Sequence, residues 1–181
     1  MPGRNLTELP AFVPGSGNVN VVVENPAGSR VKAAYDPELD IFHLSYVLPK
    51  GSAFPFEFGF IPSTIAEDGD PLDIMVLLDV PTSTGCVLTA RAIGAIEAEQ
   101  TQDGRTFRND RLIGVAIAGH QYSEVRSLGE LDQRTLDEVE SFFVSYNRMR
   151  GRVFEPIRRA PSTTAIDLIH RAMDRRAAKM S

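Results

Sequence analysis

Val19-Asn20-Val21-Val22-Val23-Glu24 is a β-branched run that reads as a strand. Two further runs follow it, Val31–Tyr35 and Ile41–Leu48. Turn chemistry separates them, at Pro26-Ala27-Gly28-Ser29 and at Asp36-Pro37. Asp73–Leu78 is a short apolar run, and Val87–Ala98 is a longer one in which Gly94 marks a bulge or bend. Leu112–Ile117 is another strand candidate, reached through the turn Gln102-Asp103-Gly104-Arg105. Short strands joined by turns define an antiparallel barrel or sandwich.

The last third of the chain changes period. Leu136, Val139, Phe142, Phe143, Tyr146 and Met149 recur at helical spacing behind the N-cap candidate Asp132. A second helix is expected over Ser162–Lys179, with Ile166, Ile169 and Met173 on one side and Pro161-Ser162 at its start. The expected class is therefore α+β: mainly β, with C-terminal helices packed against the strands. No linker divides the chain, so residues 1–181 read as one domain in which 1–18 form an N-terminal arm.

Composition narrows the function. A chain that is 43% hydrophobic and 24% charged is not disordered. A net charge of −5 argues against nucleic acid as the main partner. No apolar stretch approaches a membrane span, and Met1–Asn18 lacks the pattern of a secretory signal, so a cytoplasmic protein is expected. Cys86 is the single cysteine, which excludes an internal disulfide and disfavours a cysteine-based zinc site.

The chemistry concentrates in Glu67-Asp68-Gly69-Asp70-Pro71-Leu72-Asp73. Gly69 frees the backbone and Pro71 fixes it, so Asp68, Asp70 and Asp73 share one tight turn. Carboxylates this close repel one another unless a cation or proton neutralises them, and hard oxygen ligands suit magnesium or manganese. An acidic surface turn would need no function, but this one runs directly into the apolar Ile74-Met75-Val76. It does not fit an EF-hand, because Asp73 and Asp79 fall where that loop needs glycine and glutamate. There is no Gly-x-Ser-x-Gly elbow, and His43, His120 and His170 are scattered. Clustered carboxylates without a nucleophile point to metal-activated attack by water.

Phe54-Pro55-Phe56-Glu57-Phe58-Gly59-Phe60-Ile61-Pro62 followed by Asp68-Gly69-Asp70-Pro71-Leu72-Asp73 resembles the family I soluble inorganic pyrophosphatases. The resemblance extends to residues 21–32, to Ala92–Ile96 and to Phe142–Asn147 with Gly151-Arg152. It implies a five-stranded, OB-like barrel with peripheral helices, hydrolysis of inorganic diphosphate to two phosphates with Mg2+, and a homo-oligomer. It implies that Asp68, Asp70, Asp73 and Glu24 bind metal and that Asp70 also accepts the proton of the attacking water. It implies that Lys32, Arg111, Tyr146 and Arg152 hold the phosphates.

The sequence departs from that pattern at several positions. Ala34 stands where the family has an acid, Tyr46 where it has a phosphate-binding arginine, and Phe58 and Glu57 where it has tyrosine and asparagine. In the longer loop that follows, Gln100, Asn109 and Arg111 align with two aspartates and a lysine, and Asn147 aligns with another lysine. Carboxylates from Glu99, Asp103 or Asp110 would restore the acid side of the site. The alternatives are a paralogue that is non-catalytic or one that hydrolyses a different phosphorylated substrate. The test in a structure is whether Asp103 or Asp110 reaches the Asp68/Asp70/Asp73 turn.

Overall fold

The computed structural model of the chain describes residues 5–180; of the arm expected over 1–18, residues 1–4 lie outside the described residues. Strand β1 (Val19–Asn25) pairs antiparallel with β4 (Glu57–Ile61) on one side and with the first residues of β6 (Val87–Gln102) on the other. β4 pairs with β5 (Leu72–Leu77), β5 runs parallel to β8 (Arg111–Ala116), and β8 returns antiparallel to β6. The ring β1-β4-β5-β8-β6 closes on itself, so its five strands leave few free edges. A separate hairpin is made by β2 (Val31–Asp36) and β3 (Ile41–Val47), while β7 (Arg105–Arg108) and β9 (Val153–Pro161) pair with the distal half of β6.

Gly94 lets β6 belong to both parts. The β6–β8 register shifts between Ala92 and Gly94, as the sequence predicts. A Cβ at Gly94 would lie 2.5 Å from Leu128 Cγ and 2.6 Å from the Ala160 carbonyl oxygen. Only glycine allows strand β9 and Leu128 to approach so closely here.

The pleat of β5 sorts the core into two faces. Leu72, Ile74 and Val76 pack with Ala165, Ile169 and Ala172 of α2 (Ser162–Met180). Met75 and Leu77 pack with Leu136, Val139, Phe143 and Tyr146 of α1 (Gln133–Met149). Asp132 caps α1 by accepting a hydrogen bond from the Arg134 amide at 2.9 Å. Residues 5–18 run along the barrel: the Leu6 amide donates to the Tyr35 hydroxyl, Ser63 Oγ donates to the Leu9 carbonyl, and Ala11 is buried.

Strands β4, β7 and β9 lie outside the strands read from the sequence. Every residue of β4 is buried, so it shows no polar alternation. β9 is mostly exposed and carries Pro156, Arg158, Arg159 and Pro161, a composition that reads as loop. As an outer strand hung on β6 it tolerates both prolines.

Candidate active site

The acidic turn leaves β4 and enters β5. Gly69 adopts φ +93°, and the Ala66 amide donates to the Asp70 carbonyl at 2.7 Å. The Asp70 amide donates to Asp68 Oδ1 at 3.1 Å, and the Leu72 amide to the buried Thr64 Oγ1 at 2.9 Å. These bonds hold Asp68, Asp70 and Asp73 along one wall of an open cleft of about 1190 Å³. Glu24, Lys32, Arg111, Tyr146 and Arg152 line the same cleft, so the fold brings together every residue that the resemblance assigned to the site.

Acids and cations share the lining. Asp68 and Asp70 are solvent-exposed and make no ion pair among the described residues. The enclosing protein raises both carboxyls above their ordinary value, with Asp73 repulsion next in size. Asp73 is drawn into an ion pair with the buried Arg111. Arg111 lies over the rings of Phe143 and Phe154, 5.6 Å and 5.7 Å from their centroids, and its buried Nε has no hydrogen-bond partner. Glu24 accepts from Lys32 Nζ and from the Tyr35 amide, each at 2.9 Å, and Lys32 sits 5.3 Å from the centre of the Phe58 ring.

The long β6–β7 hairpin borders the cleft. Asp103, at φ +51°, lines it, together with Gln102, Arg105 and Thr106. Asp110 turns away, accepting from the Ala98 amide at 3.0 Å and from Arg108 Nη2 at 2.8 Å. Asp103 is thus the added carboxylate that the hairpin supplies. Gln100 and Asn109 are joined by one bond, Asn109 Nδ2 donating to Gln100 Oε1 at 2.9 Å, while Gln100 Nε2 donates to Gln102 Oε1 at 3.4 Å; Gln100 and Asn109 are both buried. Asn147 Nδ2 is turned back onto the Phe143 carbonyl of its own helix at 2.9 Å.

Sequence reasoning missed Arg105, Arg150 and Arg176, which also line the cleft. Arg150 was visible as a cation two residues before Arg152, at the end of a strong helical pattern. Arg176 lies more than a hundred positions beyond the acidic turn, on α2, and no local signal links the two.

Among the described residues no group of three or more Asp, Glu, His or Cys side chains stands ready-made as a metal cage. The reason is visible in the pairings: Asp73 leans to Arg111 and Glu24 to Lys32. The donor set still fits a hard divalent cation. It is all oxygen and anionic, and beyond the burial that chiefly raises the Asp68 and Asp70 carboxyls, Asp73 repels both, which a cation would relieve.

A closed barrel with a cleft lined by clustered carboxylates and by guanidinium groups defines a protein that handles a small polyanion together with a cation. The family model for inorganic pyrophosphatase matches residues 21–177. An inorganic pyrophosphatase of Synechocystis is 40% identical over 151 residues, covering 83% of this chain and 86% of the relative. Soluble inorganic pyrophosphatase 1 of Arabidopsis thaliana is 31% identical over 162 residues, covering 89% and 74%. The crystal structure of the Thermus thermophilus inorganic pyrophosphatase superposes with a TM-score of 0.87 at 30% identity, covering 96% of this chain and 99% of that one. The chain belongs to the inorganic pyrophosphatase family, and its barrel is OB-like.

Proposed function

We propose that this chain hydrolyses inorganic diphosphate to two phosphates and uses magnesium to do so. The observation that carries this reading is the shared cleft: the Asp68/Asp70/Asp73 turn faces Arg111, Arg152 and Tyr146 in a member of this family. Asp68, Asp70 and Asp73, with Glu24, would hold the metal. Bound magnesium would supply Lewis acidity and lower the pKa of bound water toward neutrality. Asp70 would take the remaining proton of the attacking water on the carboxylate oxygen not engaged with metal, while the water oxygen bonds to one phosphorus and the bridging oxygen leaves with the other phosphate. Lys32, Arg111 and Arg152 would neutralise the phosphate oxygens, and the Tyr146 hydroxyl would donate a hydrogen bond to them.

Two of these cations are held in place before substrate arrives. Lys32 rests on Glu24 and Arg111 on Asp73, so each stands at the boundary between the acid wall and the anion site. A cation held by Glu24 and Asp73 would compete with Lys32 and Arg111 for those carboxylates and would leave both side chains available to the phosphates. A cytoplasmic location and self-association belong to the same reading; among the described residues no helix is long and apolar enough to cross a membrane.

Phosphate release from diphosphate, with and without magnesium, tests the reading, with Asp70→Asn as the control. Magnesium-dependent release that disappears in the variant supports it. Release equal to the variant's background overturns it in favour of a changed substrate or a non-catalytic role. Sedimentation velocity tests self-association, and a monomer at micromolar concentration removes that part.

A further inference from the structure

Arg150 is the C-cap residue of α1, a place where arginine commonly serves only to satisfy helix carbonyls and the helix dipole. Its side chain does something else. Nη1 donates to the Tyr146 hydroxyl at 2.6 Å, and the guanidinium lies 5.5 Å from the centres of both the Tyr46 and Tyr146 rings. Two rings and a hydroxyl therefore fix a half-buried guanidinium on the wall of the cleft. Among the described residues no carboxylate pairs with Arg150 or with Arg152, its neighbour on that wall. The fixed Arg150 guanidinium repels Arg152 beside it, and Asp103 and Asp70 act on Arg152 without closing an ion pair to it, so the repulsion is only partly offset. An anion placed between the two guanidinium groups offsets the rest.

The platform is tied to the rest of the site. Tyr46 is the Cα partner of Lys32 across the β2–β3 ladder, so the ring beneath Arg150 and the Lys32 ammonium come from one rung. Ser45, next to Tyr46, also lines the cleft. This arrangement orients a planar fork of N–H donors, whose geometry matches two oxygens of one phosphate.

We propose that Arg150, stacked on Tyr46 and Tyr146, is a further diphosphate-binding residue that grips the phosphate group beside Arg152. This rests on the diphosphate reading above for the identity of the anion, but not for the existence of the anion site. Arg150 does not touch the acidic turn, so its removal weakens substrate binding more than it slows chemistry.

The experiment compares wild type, Arg150→Gln and Arg150→Lys, each checked for an unchanged melting transition. Two readouts are taken on each: steady-state kinetics on magnesium diphosphate, and calorimetric binding of methylenediphosphonate, a non-hydrolysable diphosphate analogue. In R150Q, KM rises about tenfold or more with kcat nearly constant, and the analogue weakens by a similar factor; R150K falls between R150Q and wild type. If wild type turns over diphosphate and R150Q keeps the wild-type KM and analogue affinity, the Arg150 assignment falls and the diphosphate reading stands. If wild type shows no turnover yet binds the analogue more tightly than R150Q does, the diphosphatase reading falls and the anion site stands. Analogue binding by neither protein overturns the anion site.

Discussion

Replacing Asp70 with asparagine moves activity and metal-free stability in opposite directions. Asn keeps the size of the side chain and one acceptor oxygen but cannot take a proton from water. Loss of a positioned general base lowers turnover by about 10²–10⁴-fold, which is about 3–5 kcal/mol of barrier at about 1.4 kcal/mol per decade. Stability responds the other way. Burial beside the cleft walls and the charge of Asp73 raise the Asp70 carboxyl above its ordinary 3.8, so the native state binds this proton more tightly than the unfolded chain does. Stability is therefore greatest when the group is protonated and falls as pH rises from 3.8 through the raised native value. Asp70 is solvent-exposed, so water screens the repulsion, and its relief is worth only about 0.2–1 kcal/mol. For a chain of this size that is a rise in Tm of about 1–3 °C at neutral pH without metal. The gap closes as pH falls below 3.8, where both side chains are neutral. It reverses in magnesium, because only wild type gains fully from metal binding. Differential scanning calorimetry across pH, with and without magnesium, reads all three effects. A D70N protein that melts earlier than wild type without metal, or that keeps full turnover, refutes the reasoning.

Gln100→Glu keeps the acceptor for Asn109 Nδ2 and adds a negative charge near Asp103 and the acidic turn. The magnesium concentration for half-maximal activity falls about tenfold, measured by metal titration of phosphate release; no shift means the Gln100–Asn109 amide pair does not limit metal affinity. Glu57→Ala orphans the amides of Ala27 and Thr82 and the Thr82 hydroxyl, all of which donate to this buried carboxylate. The cost is about 3–4 kcal/mol, a drop in Tm of about 10 °C read by calorimetry, while kcat per folded molecule stays close to wild type because Glu57 is not on the cleft wall.

The parts of the fold that were legible in sequence are unbroken apolar runs between turns and apolar residues that recur at helical spacing. β1 and β5 are runs of the first kind, and α1 shows the second. β4 and β9 escape for different reasons: Glu57 and Gly59 interrupt the short apolar run of β4, and β9 is exposed on most residues. The acidic turn was legible because its chemistry is local: Gly69 and Pro71 shape it, and three aspartates fall within six residues. Arg176 could not be read, since its place in the cleft depends on how α2 packs on the barrel. Asp103 and Asp110 were indistinguishable in sequence. The β6–β7 turn separates them, sending Asp103 to the cleft and tying Asp110 to the Ala98 amide and Arg108.

The positions at which this chain departs from the family pattern are consistent with one another. Ala34, Gln100 and Asn109 remove anionic charge from the acid side, and the two amides are joined by a hydrogen bond inside the protein. Less negative charge on that wall weakens the hold on further cations. A diphosphate brought in with fewer cations carries more net negative charge, so it needs more positive charge from the protein. The same cleft supplies it: Arg105, Arg150, Arg152 and Arg176 all line it in addition to Lys32 and Arg111. Tyr46 fits the same logic. Its hydroxyl cannot clamp a phosphate as an arginine does, but its ring supports the Arg150 guanidinium that does so from the end of α1. Part of the charge neutralisation thereby moves from metal to guanidinium, on an otherwise unchanged barrel and acidic turn.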